Sequence, residues 1–306
     1  MLTCDTYHTP HSLAEALELW SKAPEGSRIV AGATDILPWA RDGRAGDVHV
    51  PELIDVTRIS ELDGYTVQNG RVRLGAGTVY QDFLTEQTLM RYLPCMPYCS
   101  IWFADDQIRA QASLTGNLVN ASPAADGTPA VVALNGEIEL ARLDGEDIVR
   151  RLIPVVDFIR GPGQTQLTKD EIATAVVLDT AQGYGGSFQK VGLRRSLVIS
   201  VACAAGLVKA DHDGRLFEDV RLAVGGVGPR PIRLLEVEQS LKGERISHDL
   251  IEQVAQAATD TVGSRSRQEY RREVIVNFVR AAIEDALTNQ PNVNISFEDA
   301  REEHYA

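Results

Sequence analysis

Residues Arg109 to Asp126 read R-A-Q-A-S-L-T-G-N-L-V-N-A-S-P-A-A-D, a run crowded with small side chains. Between Ala110, Ala112, Gly116, Ala121, Ala124 and Ala125 stand groups able to hydrogen-bond a ligand: Ser113, Thr115, Asn117, Asn120 and Asp126. Small residues let backbone N–H groups approach a bulky anion, and Gly116 can take φ values that a side chain forbids. That composition suits a loop around a diphosphate. An ordinary polar loop leading into a helix has the same composition, and at this level both readings stand.

Working outward, Trp102-Phe103-Ala104 places aromatic rings just before this run, either beside a ligand or in the core. Further upstream, Arg28-Ile29-Val30-Ala31 reads as a short buried strand. It enters Gly32-Ala33-Thr34-Asp35 and then Ile36-Leu37. Strand, small-residue turn and helix is a common way to offer backbone N–H groups to a phosphate, and also a common plain connection. The dinucleotide fingerprint G-x-G-x-x-G is absent. Between the two stretches, Val50–Ile59 is apolar, and Arg71–Leu74 alternates as a half-exposed strand ending at Gly75-Ala76-Gly77-Thr78. Gln81–Met90 reads as helix. At the start, His11-Ser12 offers a cap to a helix carrying Leu13, Ala16, Leu17 and Trp20.

Downstream, Val131–Leu134 suggests a helix end, and Ile138–Leu140 and Glu171–Leu178 suggest strands. Arg160-Gly161-Pro162-Gly163 reads as a turn. A boundary falls near Thr180–Gly186. Beyond it Gly186–Val191 and Leu222–Val227 read as strands, and Leu197–Val208 as strand or helix. Leu234–Leu241, Ile251–Val262 and Gln268–Leu287 read as helices, the last burying Val274, Val276, Phe278, Ala281 and Ala282. Gly225-Gly226-Val227-Gly228-Pro229 invites a phosphate reading, but a strand-to-helix turn held by proline fits it better.

Composition narrows the function. The chain has 306 residues, 44% of them hydrophobic and 24% charged, as in a globular protein large enough for two domains. A formal net charge of −13 argues against a nucleic-acid partner, which needs a basic face. The longest apolar run is too short to span a bilayer, and no secretory leader pattern is visible, so the expected location is cytoplasmic. Of the four cysteines, Cys95 and Cys99 are spaced C-x3-C without a second ligand pair. They are expected to be structural thiols rather than metal ligands. No G-x-S-x-G, H-E-x-x-H or Walker loop occurs, the six histidines are scattered, and no carboxylate pair stands out. Any reaction here draws its reactive group from a cofactor. No catalytic side chain and no metal ligand is assigned.

Six motifs, taken in order, carry a resemblance. They are V-A-G-A-T-D at 30–35, L-I-D-V-T-R-I-S-E-L at 53–62, Q-I-R-A-Q-A-S-L-T-G-N at 107–117 with N-A-S-P-A-A-D at 120–126, F-I-R-G-P-G at 158–163, F-Q-K-V-G-L-R-R at 188–195 and G-G-V-G-P-R-P at 225–231. Together they resemble the FAD-binding subunit of the xanthine dehydrogenase family of molybdenum hydroxylases, over nearly the whole chain. The resemblance implies an α+β architecture. Residues 1–180 would form a two-subdomain FAD-binding fold of the vanillyl-alcohol-oxidase (PCMH) type, divided near residue 60. Residues 181–290 would form an antiparallel sheet with helices; the acidic, patternless stretch 291–306 reads from its own composition as a mobile tail.

The resemblance also implies a site. Arg28, Ile29, Val30, Ala31, Gly32, Ala33, Thr34, Asp35 and Ile36 would wrap the diphosphate of FAD. Ser113, Leu114, Thr115, Gly116 and Asn117 would form a second wall, with Asn120 nearby. Phe103, Asp126, Ala173 and Lys190 would line the flavin site. Backbone N–H groups at 31–34 and 113–117 would offset the phosphate charge, Asp126 would accept from a ligand hydroxyl, and Lys190 would favour an anionic reduced flavin. Two departures are visible: Thr115-Gly116 stands where the family usually has two glycines, and Ala33 where a second glycine is common. The implied role is electron transfer from an iron–sulfur small subunit through FAD to NAD+ or another acceptor, beside a molybdopterin-binding large subunit. A self-contained flavin oxidase or reductase, or a subunit that has lost FAD through Thr115, are the alternative readings.

Overall fold

A computed structural model describes residues 2–41, 48–194, 198–264 and 266–297. Arg195, which ends one of the motifs above, Leu197, and the tail beyond Phe297 lie outside the described residues. The chain forms two compact units. The first takes the chain up to Asp82, with Asp105–Ala121 and Gly136–Leu178. The second takes Phe83–Ala104, Ser122–Asn135 and the chain from Asp179 onward.

The first unit opens with strand β1 (Leu2–His8) and the helix Leu13–Lys22. That helix begins where the sequence offers a cap: Ser12 Oγ accepts from the Glu15 N–H, and the Glu15 carboxylate accepts from the His11 N–H. Its Leu13, Ala16 and Leu17 are buried with Ile54, Ile59 and Leu62. Strands β2 (Arg28–Val30) and β3 (Val48–Asp55) complete a parallel sheet of order β1-β3-β2.

A second sheet follows, built from β4 (Tyr65–Gln68), β5 (Arg71–Gly75), β6 (Glu137–Asp144), β7 (Asp147–Pro154) and, after the small hairpin β8 (Ile159–Gly161) and β9 (Gln164–Thr165), β10 (Ile172–Asp179). Its order is β4-β5-β10-β6-β7, and the β4–β5, β10–β6 and β6–β7 pairs are antiparallel. The alternation expected of Arg71–Leu74 is present, with Val72 and Leu74 buried and Arg73 turned to Glu139 at 2.7 Å.

The second unit is organised by an antiparallel sheet of β11 (Gly185–Gly192), β12 (Ser200–Ala210), β13 (Phe217–Gly225) and β14 (Ile232–Arg233), in that order. The segment whose composition fitted strand or helix, Leu197–Val208, is strand from Ser200. Nearly every residue of it is buried on both faces, so it shows no alternation. The helix Gln268–Thr288 covers this sheet, with Ser187 Oγ donating to its Ala282 carbonyl at 2.6 Å.

The expected face of that helix needs correction. Ile275, Val279, Ala282, Ile283, Ala286 and Leu287 are its buried residues, at helical spacing. Val274, Val276 and Phe278 only flank the core. Each fully buried aliphatic side chain contributes about 1.5–3 kcal/mol. Of the tail expected over 291–306, the part to Phe297 is held: Val293, Ile295 and Phe297 pack on the core, and the Ser296 N–H donates to the Gly214 carbonyl at 2.9 Å. Among the described residues no helix is long and apolar enough to cross a membrane.

Candidate functional site

The run Arg109–Asp126 is not a loop. It is a short helical turn, Asp106–Arg109, then a helix Leu114–Asn120. Ser113 caps the helix, its hydroxyl accepting from the Gly116 N–H at 3.1 Å. The small residues serve packing as much as access: Ala112, Ser113, Leu114, Thr115, Leu118 and Ala121 are all buried.

The helix start is pinned from the side by the segment that follows β5. The Leu114 N–H donates to Thr78 O, the Tyr80 N–H to Ala112 O, and the buried Tyr80 hydroxyl to the Asn117 side chain at 2.9 Å. Tyr80 was not singled out from sequence. It lies two residues past the G-A-G-T turn, and its neighbourhood to Asn117 is a tertiary fact.

The turn after β2 lies against the same segment. A Cβ on Gly32 would stand 1.8 Å from the carbonyl oxygen of Gln111, so no side chain fits there. Glycine at 32 thus lets the 31–35 turn touch the backbone just before Ser113. Ala33 adopts φ +54°, a left-handed conformation that costs a non-glycine residue about 1–2 kcal/mol. Ala121, closing the Leu114–Asn120 helix, has φ +49°, and its carbonyl accepts from Gly163 N–H, which gives the G-P-G turn a supporting role. Strained backbone of this kind persists where surrounding structure enforces it, often at ligand sites.

Among the described residues, none accepts from the backbone N–H groups of Gly32, Ala33 and Thr34. Three free donors on one tight turn match the oxygen-rich surface of a diphosphate. The second wall differs: the N–H groups of Leu114, Gly116 and Asn117 are spent on Thr78 O, Ser113 Oγ and Ser113 O. Thr115, 5% exposed, offers only its own N–H and hydroxyl.

A cavity of about 500 Å³ adjoins the first turn. Arg28, Ile29, Asp35, Ile36 and Asn120, five of the residues expected from sequence, line it, together with Pro38 and Trp39, which the sequence did not flag. Partial burial raises the Asp35 carboxyl above its ordinary value. Ala173 lies on β10 at a β-bulge opposite Leu140.

The remaining expected residues, Phe103, Asp126 and Lys190, belong to the second unit. Phe103 closes the helix Met96–Trp102 and is followed by Ala104 at φ +47°. Lys190 is not a free cation. Its side chain is 2% exposed and its ammonium donates to Asp126 Oδ2 at 2.5 Å and to the Trp102 carbonyl at 3.1 Å. Asp126 Oδ1 accepts from Ser200 Oγ at 2.5 Å. Burial raises the Asp126 carboxyl, while the Lys190 charge and the two hydrogen bonds act the other way. Asp126 therefore has its first partners inside the chain.

Two thiols lie beside this pair, Cys99 and Cys203, the latter opposite Lys190 across the β11–β12 pairing, while Cys95 Sγ lies 3.9 Å from the Ala130 carbonyl oxygen. Cys99 Sγ lies 3.4 Å from the Asp126 carbonyl oxygen, and Cys95 and Cys203 are buried as well. Burial pushes Cys95 up to about 12, and raises Cys99 and Cys203 too. Among the described residues no group of three or more potential ligands is placed to hold a metal. Because the thiolate is the reactive form, a native-state assay with an aromatic disulfide reagent should titrate Cys4 alone, and all four cysteines only after denaturation. Fast reaction of a second native thiol would contradict this packing.

The glycine-rich turn after β13 is a packing device. Gly226, at φ +75°, donates its N–H to Pro123 O, and the Arg271 guanidinium donates to both the Gly226 and Val201 carbonyls. No phosphate role is needed there.

Residues 3–179 match the FAD binding domain in molybdopterin dehydrogenase, and residues 187–286 match the CO dehydrogenase flavoprotein C-terminal domain. The chain belongs to the family of FAD-binding subunits of molybdopterin-dependent dehydrogenases.

It is 29% identical over 274 residues to the glyceraldehyde dehydrogenase medium chain of Sulfolobus acidocaldarius, spanning 88% of this chain and 94% of that one. It is 30% identical over 289 residues to the nicotine 6-hydroxylase medium subunit of Paenarthrobacter nicotinovorans, spanning 92% and 96%. Among solved structures, a cyanide-inactivated Cu,Mo-CO dehydrogenase superposes with a TM-score of 0.86 at 24% identity, covering 94% of this chain and 99% of that one. That likeness speaks to the fold, which is the α+β, PCMH-type arrangement expected from the sequence motifs. FAD is the cofactor of the family, and the chain is a FAD-binding oxidoreductase subunit.

Proposed function

We propose that this chain is the electron-transfer subunit of a molybdenum hydroxylase complex. It would receive electrons from an iron–sulfur small subunit and deliver them to NAD+ or another acceptor, while a molybdopterin-binding large subunit oxidises the substrate. The observation that carries the reading is the turn Gly32–Thr34, with three unspent backbone donors held against Gln111.

Those donors would bind the diphosphate, and Arg28 in the adjoining cavity adds a positive charge to an acidic protein. The Thr115 hydroxyl would replace the close backbone approach that a glycine there allows. When bound, FAD supplies a redox centre able to exchange electrons with partners that carry one or two at a time. Lys190 would act on flavin charge as part of its pair with Asp126.

The partners must be separate chains on this reading. A cluster needs about four cysteine ligands, and three of the four here are buried thiols of the second unit while Cys4 sits on β1. The cytoplasm is the proposed location, a reducing compartment that suits free thiols.

The test is purification of the full chain with its co-expressed neighbours, followed by absorption, metal analysis and acceptor assays. A yellow preparation absorbing near ~450 nm with stoichiometric molybdenum and iron supports the reading. A chain that takes up no FAD on incubation with the cofactor, or that turns over an organic donor alone, overturns it.

A further inference from the structure

The cavity beside the Gly32–Thr34 turn holds one feature that the diphosphate reading does not use. Trp39 sits on the short helix Ile36–Arg41, its backbone N–H donating to the Asp35 carbonyl, and remains 37% exposed while lining the cavity. Its position on the cavity wall leaves the indole open to a ligand there. The rest of the wall combines an apolar side, from Ile29, Ile36 and Pro38, with one amide, Asn120.

We propose that Trp39 is the stacking face for the adenine end of the dinucleotide, with Asn120 reading the edge of the base. The inference rests on the FAD reading above. A flat aromatic wall offers its face to any base, and an asparagine amide presents the donor–acceptor pair that matches the N6 and N7 edge of adenine. At about 500 Å³ the cavity is of ordinary size for a ligand of nucleotide dimensions. Arg28, which lines the same cavity, offers a counter-charge to the phosphate carried on the ribose of that nucleotide.

The experiment uses the full chain, wild type, Trp39→Phe, Trp39→Ala and Asn120→Ala, with three probes: FAD, ADP and FMN. Binding is read by quenching of tryptophan emission and by flavin fluorescence, so activity is not needed. ADP should quench a component of emission that is missing in Trp39→Phe.

Trp39→Ala should lose about ten-fold or more in affinity for ADP and FAD, the scale of base–aromatic stacking. Trp39→Phe should recover most of that loss, and FMN, which lacks adenine, should bind all variants alike. Asn120→Ala should weaken ADP and leave FMN unchanged. If Trp39→Ala binds ADP and FAD as the wild type does, the adenine assignment is overturned while the FAD reading stands. If the wild type binds FMN but neither ADP nor FAD, this assignment also fails. Failure of the wild type to bind any of the three ends both readings.

Discussion

Gly32→Ala is expected to cut FAD affinity by at least about ten-fold and to destabilise the fold. The added methyl would stand 1.8 Å from the Gln111 carbonyl oxygen and 2.5 Å from its carbon, both backbone atoms, so a rotamer change cannot relieve the clash. The 31–35 turn and the 111–113 segment must separate instead. Overpacking of this kind costs about 1–3 kcal/mol.

The larger consequence is for the ligand. The N–H groups of Gly32, Ala33 and Thr34 are aimed by that contact, and each hydrogen bond to a charged group that is lost costs about 1.5–3 kcal/mol. About 1.4 kcal/mol is one factor of ten. The measurement is flavin fluorescence titration of apo-protein, alongside urea unfolding. Ala33→Gly is the control one residue away: its φ of +54° suits glycine, so it should keep both affinity and stability. Equal affinity of Gly32→Ala and wild type would show that the diphosphate lies elsewhere.

The sequence made some of this legible and hid the rest for identifiable reasons. The helix Leu13–Lys22 and strands β2 and β5 announced themselves through caps and alternation, which are local properties. The segment before Val208 did not, because a strand buried on both faces carries no alternation. The run Arg109–Asp126 was flagged correctly as unusual and assigned the wrong local structure. Its small residues allow a buried helix to approach Thr78 and Tyr80, and dense packing and ligand access ask for the same side chains.

Left-handed alanines at 33, 104 and 121 were invisible, since composition leads one to expect glycine where φ is positive. Trp39 lacked any motif around it. The pairing of Lys190 with Asp126, 64 residues apart, is a product of topology: β11 carries one partner, and the segment before the helix Gly127–Ala133 carries the other.

That pair gives the second large effect. Asp126→Ala is expected to destabilise the protein by about 3–5 kcal/mol, the usual result of leaving a buried charge without its partner. The ammonium would keep only the Trp102 carbonyl, and Ser200 would lose its acceptor at the same time. Asp126→Asn tests the charge itself. It preserves an oxygen for Lys190 or Ser200 and should recover part of the loss. The double variant Asp126→Leu with Lys190→Met removes both charges and should lie closer to wild type than Asp126→Ala, because burying an ion pair gains little over apolar packing of similar volume.

Urea unfolding at pH 7 orders these variants. A ranking in which Asp126→Ala costs less than about 1 kcal/mol would mean that water reaches Lys190 and that the pair behaves as an exposed one. With FAD bound, Lys190→Met alone is the complementary probe. If Lys190 acts on flavin charge, the midpoint potential of the bound flavin must move, but by less than a free ammonium would give, since Asp126 already offsets part of that charge. An unmoved potential would confine the pair to holding β11 against the Met96–Trp102 helix through the Trp102 carbonyl.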